Sequence, residues 1–500
     1  MNRRILTLAV ACIAGAALCA SASGARYIVL YKQLSVDKSA AASIAAAGGT
    51  VVASYPQIGV VIAESSKASF RDALMADTRV DGVSATAGFG VRATDGFGIA
   101  GKVPASRGAV IPTAGPGDPL SPLQWDMKQI HAPEAQAVVS GSPSIVAGDI
   151  DTGIDWAHPD LASSIDFSKS VSCLGGVADT SPSAWFDDNA HGTHTAGTIA
   201  AAANGIGIVG VAPGVKIAAI KAGTPDGFIF ADAVVCSFMW AATHGVNVTN
   251  NSYFVDPWYF GCRNDAEQRA LWVSERRAIQ YAEQHGVTVV AAAGNFSDDL
   301  AHPTQDIISP DTGPGTTRDV TNACIEIPAE VPGVIAVSGV GVEGRKSYFS
   351  SYGSGVIQVT APSGDDLQVN ADAPNGQVLS SVPQWFGDLL EPIFPEFFEK
   401  SCSGGSCAYW AYFEGTSMAT PHVAGEVALL ESKYGPMSPG AVTALIDRTA
   451  DPIACPANPY LWPDFPQFSN GLPQTCSGGP GANSFYGHGL INVLSAVTAK

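Results

Sequence analysis

The chain has 500 residues, of which 46% are hydrophobic and 14% are charged. This apolar content is enough for a large packed core, so intrinsic disorder is excluded as the main state. The 26 Lys and Arg residues against 45 Asp and Glu give a net charge of −19, which would repel a phosphate backbone, so no nucleic-acid partner is expected. The 54 Gly and 33 Pro indicate many tight turns and favour an enzyme-like mixed fold.

The amino terminus predicts an export signal. Met-Asn-Arg-Arg is followed by an apolar run from Ile5 to Ala20 and then by Ser21 and Ala22, which is the pattern of a secretory signal peptide. We therefore expect residues 1–22 to be removed and the product to be secreted, either to the periplasm or outside the cell. No second long apolar stretch follows, so we expect no membrane span after signal removal.

Cysteine usage agrees with export. Ten cysteines occur in the chain, two of them in the predicted signal peptide, and an even number in an exported chain favours disulfides. Two pairs are close in sequence, Cys402 with Cys407 and Cys455 with Cys476, and we predict these two bridges. Partners for the others stay open, with free buried thiols as the alternative; these are Cys173, Cys236, Cys262 and Cys324.

Residues 26–85 predict a small α+β unit of their own. Its expected elements, in chain order, are a strand at 27–31, a helix at 39–47, a hairpin over 50–63 and a second helix at 69–75. From Thr86 onward the composition shifts to Gly, Ala and Pro, and the apolar residues show no sustained helix or strand periodicity. We interpret residues 86–118 as a linker that contains a processing site.

Residues 119–500 alternate between short β-branched apolar runs and helical patterns. Such runs are typical of buried parallel strands, so this part predicts a doubly wound, mostly parallel α/β sheet flanked by helices. Ligands of such sheets bind beyond the carboxyl ends of the strands. The predicted strands are 145–150, 217–220, 246–249, 287–293, 334–340 and 356–359, and the predicted helices include 231–243 and 266–284.

Four polar residues at the ends of these elements carry the candidate chemistry. Asp151 ends the first strand, His191 opens a helix of small residues, and Ser417 lies in Gly-Thr-Ser-Met-Ala. A serine hydroxyl needs an imidazole to take its proton, and the imidazole needs a carboxylate to fix its tautomer, so these three residues are the candidate catalytic triad. Asn295 ends another strand and is the candidate oxyanion donor, together with the backbone N–H of Ser417.

The motifs resemble the subtilisin family of serine endopeptidases, the subtilases of peptidase family S8. They are Asp-Thr-Gly at 151–153, His-Gly-Thr-His-x-Ala-Gly at 191–197 and Gly-Thr-Ser-Met-Ala-Thr-Pro-His at 415–422, in the order Asp, His, Ser. The resemblance runs from about Gln124 to the end. It implies hydrolysis of protein or peptide substrates through an acyl-enzyme, without a catalytic cofactor, by a protein that we expect to be a monomer.

Residues 26–85 resemble the inhibitor I9-type propeptide of the same family. In relatives this unit assists folding, inhibits the active site and is removed autocatalytically. The resemblance therefore implies an autoprocessed zymogen, with its own propeptide as an intramolecular inhibitor.

Two departures from the family pattern concern substrate binding. Relatives carry Ser-Leu-Gly-Gly beside the cleft, where this chain has Ser252-Tyr253-Phe254-Val255 followed by an apparent insertion at 256–262. Ser252, Tyr253 and Phe254, with Gly294, are the candidate substrate-binding residues. A larger insertion over about 365–413 is rich in aromatic residues, which we expect to pack as a subdomain, with contact to substrate or a partner as the alternative.

Other polar residues have competing interpretations. His194 lacks the His-Glu-x-x-His context of a zinc site, so we expect a structural role. Asp149 shares a strand face with Asp151 and is expected to be a hydrogen-bonded structural acid. Asp160 and Asn204 align with positions that hold calcium in relatives, so a structural calcium ion there is an open alternative.

Two other functions remain as alternatives to the protease. One is an inactive subtilase-fold scaffold that binds through the aromatic insertion. The other is an esterase of the α/β-hydrolase type, because Gly415 to Ala419 is one residue short of Gly-x-Ser-x-Gly and His488 lies late in the chain.

Overall fold

The computed structural model describes residues 24–86, 118–311, 315–403, 405–457 and 473–500. The predicted signal peptide at 1–22 and nearly all of the predicted linker at 86–118 lie outside the described residues. The remainder forms a small amino-terminal unit and a larger unit that carries the three polar motifs.

The amino-terminal unit is a four-stranded antiparallel sheet in the order β2-β3-β1-β4, with two short helices. The expected strand, hairpin and helices are all present, and the strand at 80–85 was not predicted. Its two faces follow the period of two along the first strand, because Val29 packs beneath the helices while Ile28 and Leu30 join the core of the larger unit. The elements are β1 (Ala25–Tyr31), α1 (Ala40–Ala46), β2 (Thr50–Tyr55), β3 (Val60–Ser65), α2 (Phe70–Met75) and β4 (Val80–Ala85).

The larger unit is built on a seven-stranded sheet in the order β15-β14-β10-β8-β5-β7-β6, in which every neighbouring pair is parallel. This is the predicted doubly wound α/β arrangement. The sheet strands are β5 (Val146–Asp151), β6 (Val171–Ser172), β7 (Lys216–Lys221), β8 (Val248–Asn251), β10 (Thr288–Ala292), β14 (Ile335–Val340) and β15 (Val359–Pro362).

Helices and short hairpins surround this sheet. The helices are α3 (Trp125–Gln129), α4 (Ala132–Gln136), α5 (His191–Ala200), α6 (Ala231–Thr243), α7 (Arg269–Gln284), α8 (Gln384–Leu390), α9 (Thr416–Tyr434), α10 (Pro439–Thr449) and α11 (Val493–Thr498). The short pairs are β9 (Gly261–Cys262) with β13 (Cys324–Ile325), β11 (Gln305–Asp306) with β12 (Arg318–Asp319), and β19 (Gly478–Gly479) with β20 (Ala482–Asn483).

The strand predicted at 356–359 is misplaced. The backbone N–H groups of Val356 and Ile357 both donate to the carbonyl of Gly353, which closes a turn there. Gly355 inside this turn has a φ of 74°, a left-handed conformation that glycine adopts without strain. The apolar run therefore begins in a turn, and the strand starts only at Val359.

The insertion predicted at about 365–413 contains a three-stranded antiparallel sheet in the order β16-β18-β17. Its strands are β16 (Val378–Val382), β17 (Phe398–Ser403) and β18 (Ser406–Phe413). Phe386 and Tyr409 pack with Val382 and Leu390 in a small core, which Ala190 of the larger unit joins. The expectation that its aromatic residues pack a subdomain is confirmed.

All eight cysteines outside the predicted signal peptide are paired. The predicted bridges Cys402–Cys407 and Cys455–Cys476 are present. The other pairs are Cys173–Cys236 and Cys262–Cys324, so the alternative of free thiols is wrong. Within the described ranges, no helix combines the length and the apolar character that crossing a membrane would need.

Candidate active site

Asp151 and His191 are in direct contact at the carboxyl edge of the main sheet. Asp151 is the last residue of β5 and its side chain is buried, while His191 is the first residue of α5. Nδ1 of His191 lies 2.8 Å from Oδ1 and 2.9 Å from Oδ2 of Asp151. The carboxylate therefore holds the ring with Nδ1 protonated, which leaves Nε2 as the nitrogen that can accept a proton.

The helix that carries His191 is fixed by a residue that the sequence analysis missed. The buried carboxylate of Asp187 accepts the backbone N–H of Ala190 and that of Thr193, each at 2.9 Å. It also accepts the hydroxyl of Thr152 at 2.9 Å, next to Asp151. The N-cap of this helix is Ala190, and Asp187 lies three residues before it, outside the position at which a capping residue is recognised from sequence.

Ser417 lies in the first turn of α9, directly after the turn at Gly415. Its Oγ donates to the carbonyl of Ser252 at 3.2 Å, and the Ser252 hydroxyl donates back to the Ser417 carbonyl at 2.9 Å. Gly415 has a φ of 149° and its N–H donates to the carbonyl of Ser363 at 2.9 Å. These bonds fix the backbone on both sides of the candidate nucleophile.

Asn295 is oriented by the residue that precedes Ser417. Its Oδ1 accepts both the backbone N–H and the hydroxyl of Thr416, each at 2.8 Å. Because these two donors identify the amide oxygen, Nδ2 points to the other side. The Asn295 amide lies against the turn at Gly415, since Nδ2 is 3.4 Å and Oδ1 is 3.8 Å from the place where a side chain on Gly415 would begin.

These side chains meet in one cleft of about 340 Å³. All the predicted catalytic, oxyanion and substrate-binding residues line it, namely Asp151, His191, Ser252, Tyr253, Phe254, Gly294, Asn295 and Ser417. Tyr412 and Phe413, at the end of the insertion, form part of its wall. The insertion therefore reaches the cleft in addition to packing its own core.

Comparison with known proteins identifies the family. Residues 144–489 match the model of the Subtilase family, Peptidase_S8. The chain belongs to the subtilase family. It is a subtilisin-like serine endopeptidase by class.

Several subtilases are similar to this one in sequence. The chain is 30% identical over 345 residues to fervidolysin of Fervidobacterium pennivorans, an alignment that covers 67% of this chain and 41% of fervidolysin. It is 29% identical over 375 residues to subtilisin DY of Bacillus licheniformis, which covers 75% of this chain and 98% of that protein.

Solved structures of low identity agree on the fold. The epidermin leader peptide processing serine protease of Staphylococcus aureus has a TM-score of 0.62 at 20% identity, over 95% of this chain and 98% of that one. The fervidolysin structure has a TM-score of 0.60 at 24% identity, over 96% of this chain and 62% of that one.

Asp149 of this subtilase is a buried acid two residues before Asp151 on the same strand. Asp149 is buried and accepts Asn250 Nδ2 at 2.8 Å and Thr195 Oγ1 at 2.9 Å. Burial, with the neighbouring charge of Asp151, raises the pKa of Asp149 well above its usual range. The side chain is a hydrogen-bonded buried acid, as expected, and a proton on it removes a like charge from beside Asp151.

His194 of this subtilase joins the catalytic helix to the insertion. Its ring stacks on Phe413 with centroids 4.4 Å apart, and its Nε2 lies 3.1 Å from the carbonyl of Ala411. Burial lowers its pKa to about 3, so the ring is neutral. The ring stacking and the contact with the Ala411 carbonyl fit the structural role expected for His194. The described residues contain no group of three or more His, Cys, Asp or Glu side chains that could hold a metal ion.

The residues around Asp160 and Asn204 do not fit a calcium ion. Asp160 Oδ2 accepts the Trp410 indole N–H at 2.7 Å and the Ile208 N–H at 3.0 Å. Asn204 Oδ1 accepts the Ile206 N–H at 2.8 Å, and Asp118 accepts the N–H of residue 205 at 2.8 Å. Oδ1 of Asp160 is buried and has no hydrogen-bond partner among the described residues. Calcium needs six to eight oxygen ligands, and this one carboxylate oxygen is far short of such a set, so no step below depends on calcium.

His488 lies outside the cleft in this subtilase. Its Nε2 is 3.7 Å from Oδ2 of Asp447, and the imidazole of the cleft is that of His191. An esterase that used Ser417 with His488 would need those two groups together, so this geometry does not favour it.

Proposed function

We propose that this subtilisin-like serine endopeptidase is exported as a zymogen that cuts itself, with Ser417 as nucleophile, His191 as general base and Asp151 as the residue that orients the imidazole. Asn295 Nδ2 stabilises the oxyanion. The observation that carries the proposal is the contact between Asp151 and His191 in the cleft that also contains Ser417 and Asn295.

Acylation starts at Ser417. The hydroxyl exchanges its bond to the Ser252 carbonyl for one to Nε2 of His191, by rotation about its Cα–Cβ bond. Oγ then attacks the peptide carbonyl while His191 takes the proton, and Asp151 stabilises the resulting imidazolium. The oxyanion accepts a hydrogen bond from Asn295 Nδ2, and catalytic hydrogen bonds of this kind tighten only when substrate is bound.

Collapse of the tetrahedral intermediate returns the proton. His191 gives it to the leaving amine, so the C–N bond breaks and the upstream part of the substrate remains as an ester on Ser417. A water molecule then attacks the ester with His191 again as base, which releases the new carboxyl end and restores the hydroxyl. The reaction needs no cofactor.

Residues 26–85 are the propeptide in this proposal, and contacts between the two units support it. The guanidinium of Arg277 in α7 donates to the carbonyls of Tyr31 at 2.9 Å and Ile58 at 3.0 Å. Arg269 pairs with Asp81 at 3.0 Å. The unit therefore covers the outer helices of the protease, and the inhibition is proposed to come from its carboxyl end, which leads into the linker.

Secretion is supported by the chemistry of the cysteines and of the amino terminus. Four disulfides are typical of an oxidising compartment. The charged and apolar pattern of residues 1–22 supplies the export signal. Processing within residues 86–118 would then separate the propeptide from the protease.

Amino-terminal sequencing of the secreted protein beside its Ser417→Ala form tests the proposal. The wild-type protein should begin within residues 86–118, while the variant should keep the propeptide attached and hydrolyse no peptide. A serine-directed phosphonate should label the wild-type protein on Ser417 in a 1:1 ratio. A Ser417→Ala protein that still processes itself would refute the mechanism, and a processed wild-type protein that takes no label would favour an inactive scaffold.

A further inference from the structure

The position of one substrate side chain follows from the proposed chemistry, on which this inference rests. The residue before the scissile bond has its Cα one bond away from the attacked carbonyl. That carbonyl lies between Ser417 Oγ and Asn295 Nδ2, so the side chain must enter the cleft next to them. Ser252 is hydrogen-bonded to Ser417 and Gly294 directly precedes Asn295. The cleft residues that we assign to this position are therefore the segment 252–254 with Ala292 and Gly294.

Tyr259 fills the space behind this wall. A Cβ placed on Gly294 would lie 3.2 Å from the Tyr259 hydroxyl and 3.3 Å from its Cε2. The Tyr259 side chain has no exposed surface. The ring therefore stands directly behind the residue that precedes Asn295, and it belongs to the segment 256–262 that the sequence marks as inserted.

Three rings close this part of the cleft together, and we call Phe254, Tyr259 and Phe296 the aromatic plug. The ring centroids of Phe254 and Tyr259 are 5.4 Å apart, and those of Tyr259 and Phe296 are 4.8 Å apart. Both pairs meet edge to face, a favourable arrangement for aromatic rings. Phe254 and Phe296 line the cleft while Tyr259 packs behind them.

The plug is anchored from behind. Tyr259 Oη lies 3.2 Å from Ser351 Oγ, and the Tyr259 N–H donates to Ser309 Oγ at 2.8 Å. Three residues further on, Cys262 is bonded to Cys324. Because both ends of the Tyr259 side chain and the following backbone are held, the ring has no empty space into which a substrate side chain could push it.

We propose that the aromatic plug fills the pocket for the side chain that precedes the scissile bond, so that this protease cleaves after Gly, Ala and Ser and rejects Leu, Phe and Lys at that position. Tyr259 acts from behind the cleft wall, and Phe254 and Phe296 limit the depth at the wall itself. The rest of the cleft remains open to the other substrate positions.

A peptide series tests the proposal on the wild-type protein. The peptides share one sequence and differ only in the residue before the scissile bond, which is Gly, Ala, Ser, Leu, Phe or Lys. Mass spectrometry locates each cut, and kcat/KM is measured for each peptide. We expect the Ala peptide to exceed the Phe peptide by about 100-fold or more, since discrimination in a closed pocket is a steric exclusion.

Two variants test the role of the plug itself. Tyr259→Ala should raise kcat/KM for the Phe and Leu peptides relative to the Ala peptide by about tenfold or more, whereas the matched control Tyr259→Phe keeps the ring and should keep the wild-type ratio. Phe254→Gly restores a small residue at the cleft wall and should move the ratio in the same direction. Thermal unfolding and an intact Cys262–Cys324 bond show whether Tyr259→Ala folds. If it does not fold, Phe254→Gly tests the proposal instead.

The failure of this inference is distinguishable from failure of the proposed function. If the wild-type protein cleaves after Phe or Leu as fast as after Ala, the proposed role of the aromatic plug is overturned, while the proposed protease function is not. An unchanged Ala-to-Phe ratio in both folded variants would also overturn it. No cleavage of any peptide, together with no phosphonate label on Ser417, would overturn both.

Discussion

The indole N–H of Trp410 donates to Oδ2 of Asp160 across 2.7 Å, and both side chains are fully buried. Trp410 belongs to β18 in the insertion, and Asp160 to the loop that follows β5. Gly207 has room for no side chain, because a Cβ there would lie 2.2 Å from the Trp410 ring. Burial raises the pKa of Asp160 to about 7, against the hydrogen bonds from Ile208 and Trp410. The bond fixes the insertion to the central unit.

Trp410→Phe should lower the free energy of unfolding by about 1–3 kcal/mol, because the buried Oδ2 of Asp160 loses one of its two donors and keeps only the N–H of Ile208. Urea denaturation measures the change. Trp240→Phe is the matched control, because that indole donates to the Lys169 carbonyl at a partly exposed position. Its loss should be smaller, and equal losses in the two variants would contradict the role given to the Trp410 bond.

Removal of calcium should leave the protein unchanged. Oδ2 of Asp160 and Oδ1 of Asn204 accept N–H groups, and Oδ1 of Asp160 alone cannot replace a calcium ligand set, so a chelator should not shift Tm. An ion present at a hundredfold its Kd would instead add about 2.7 kcal/mol to stability. Differential scanning calorimetry in EDTA and in excess calcium distinguishes the two, and a higher Tm in calcium would show that the loop binds it.

Glu426 makes stability depend on pH. It is buried in α9, neither carboxylate oxygen has a hydrogen-bond partner among the described residues, and burial raises its pKa to about 8. A carboxyl group whose pKa is raised in the folded state takes up a proton on folding. The contribution of Glu426 to stability is therefore present at acidic pH and is lost as the pH rises from about 4.5 to about 8.

Glu426→Gln should remove this dependence. Each pH unit between the unfolded and folded pKa values is worth about 1.4 kcal/mol, so the wild-type protein should lose more stability than the variant between about pH 4 and about pH 9, pH values chosen to lie on either side of that window. Urea midpoints at both pH values measure it. Parallel losses in the two proteins would show that Glu426 is not the titrating group.

Asn295→Ala should lower kcat by about 10²–10³-fold with little change in KM, because the lost donor acts on the oxyanion and not on bound substrate; the magnitude is borrowed from a side-chain donor of this kind in subtilisin. Thr416→Val is the graded comparison. It removes the hydroxyl that holds Asn295 Oδ1 but keeps the backbone N–H, so we expect a loss of about tenfold. Steady-state kinetics on one peptide decides, and equal losses would contradict the assignment of Nδ2.

Arg277→Ala should loosen the propeptide without touching the cleft. The substitution removes the donors to the carbonyls of Tyr31 and Ile58, which are worth about 1 kcal/mol each. In the processed protein, activity should appear sooner and residues 24–86 should co-purify less. Arg276→Ala is the control, because that guanidinium lies over the Trp272 ring. If both variants need as long as the wild-type protein for activity to appear, the Arg277 contact does not hold the propeptide.

The sequence predicts the parts of this fold that depend on local pattern. The first sheet strand, the helix at 231–243 and the small amino-terminal unit follow from periodicity of apolar residues, which reports on burial over a few neighbours. The site follows from motifs because the chemistry restricts the residue types at Asp151, His191 and Ser417. The misplaced strand at 356–359 shows the limit, since an apolar run can equally pack from a turn.

Contacts between distant segments that no motif marks were beyond prediction. Cys173 bonds to Cys236 across 63 residues, and Trp410 reaches Asp160 across 250. Tyr259 behind Gly294 is another such contact. Each depends on how elements far apart in the chain are placed against one another, which no local period encodes.

The packing of Ile28 and Leu30 into the same apolar cluster as α6 and α7 has a consequence for the activation that we propose. Cleavage of a single peptide bond between residues 86 and 118 would leave the amino-terminal unit bound to the larger unit, because these apolar contacts are noncovalent and lie away from the cleaved bond. Dissociation of the amino-terminal unit is thus a separate step from cleavage, and its rate depends on how readily water reaches the buried interface between the two units.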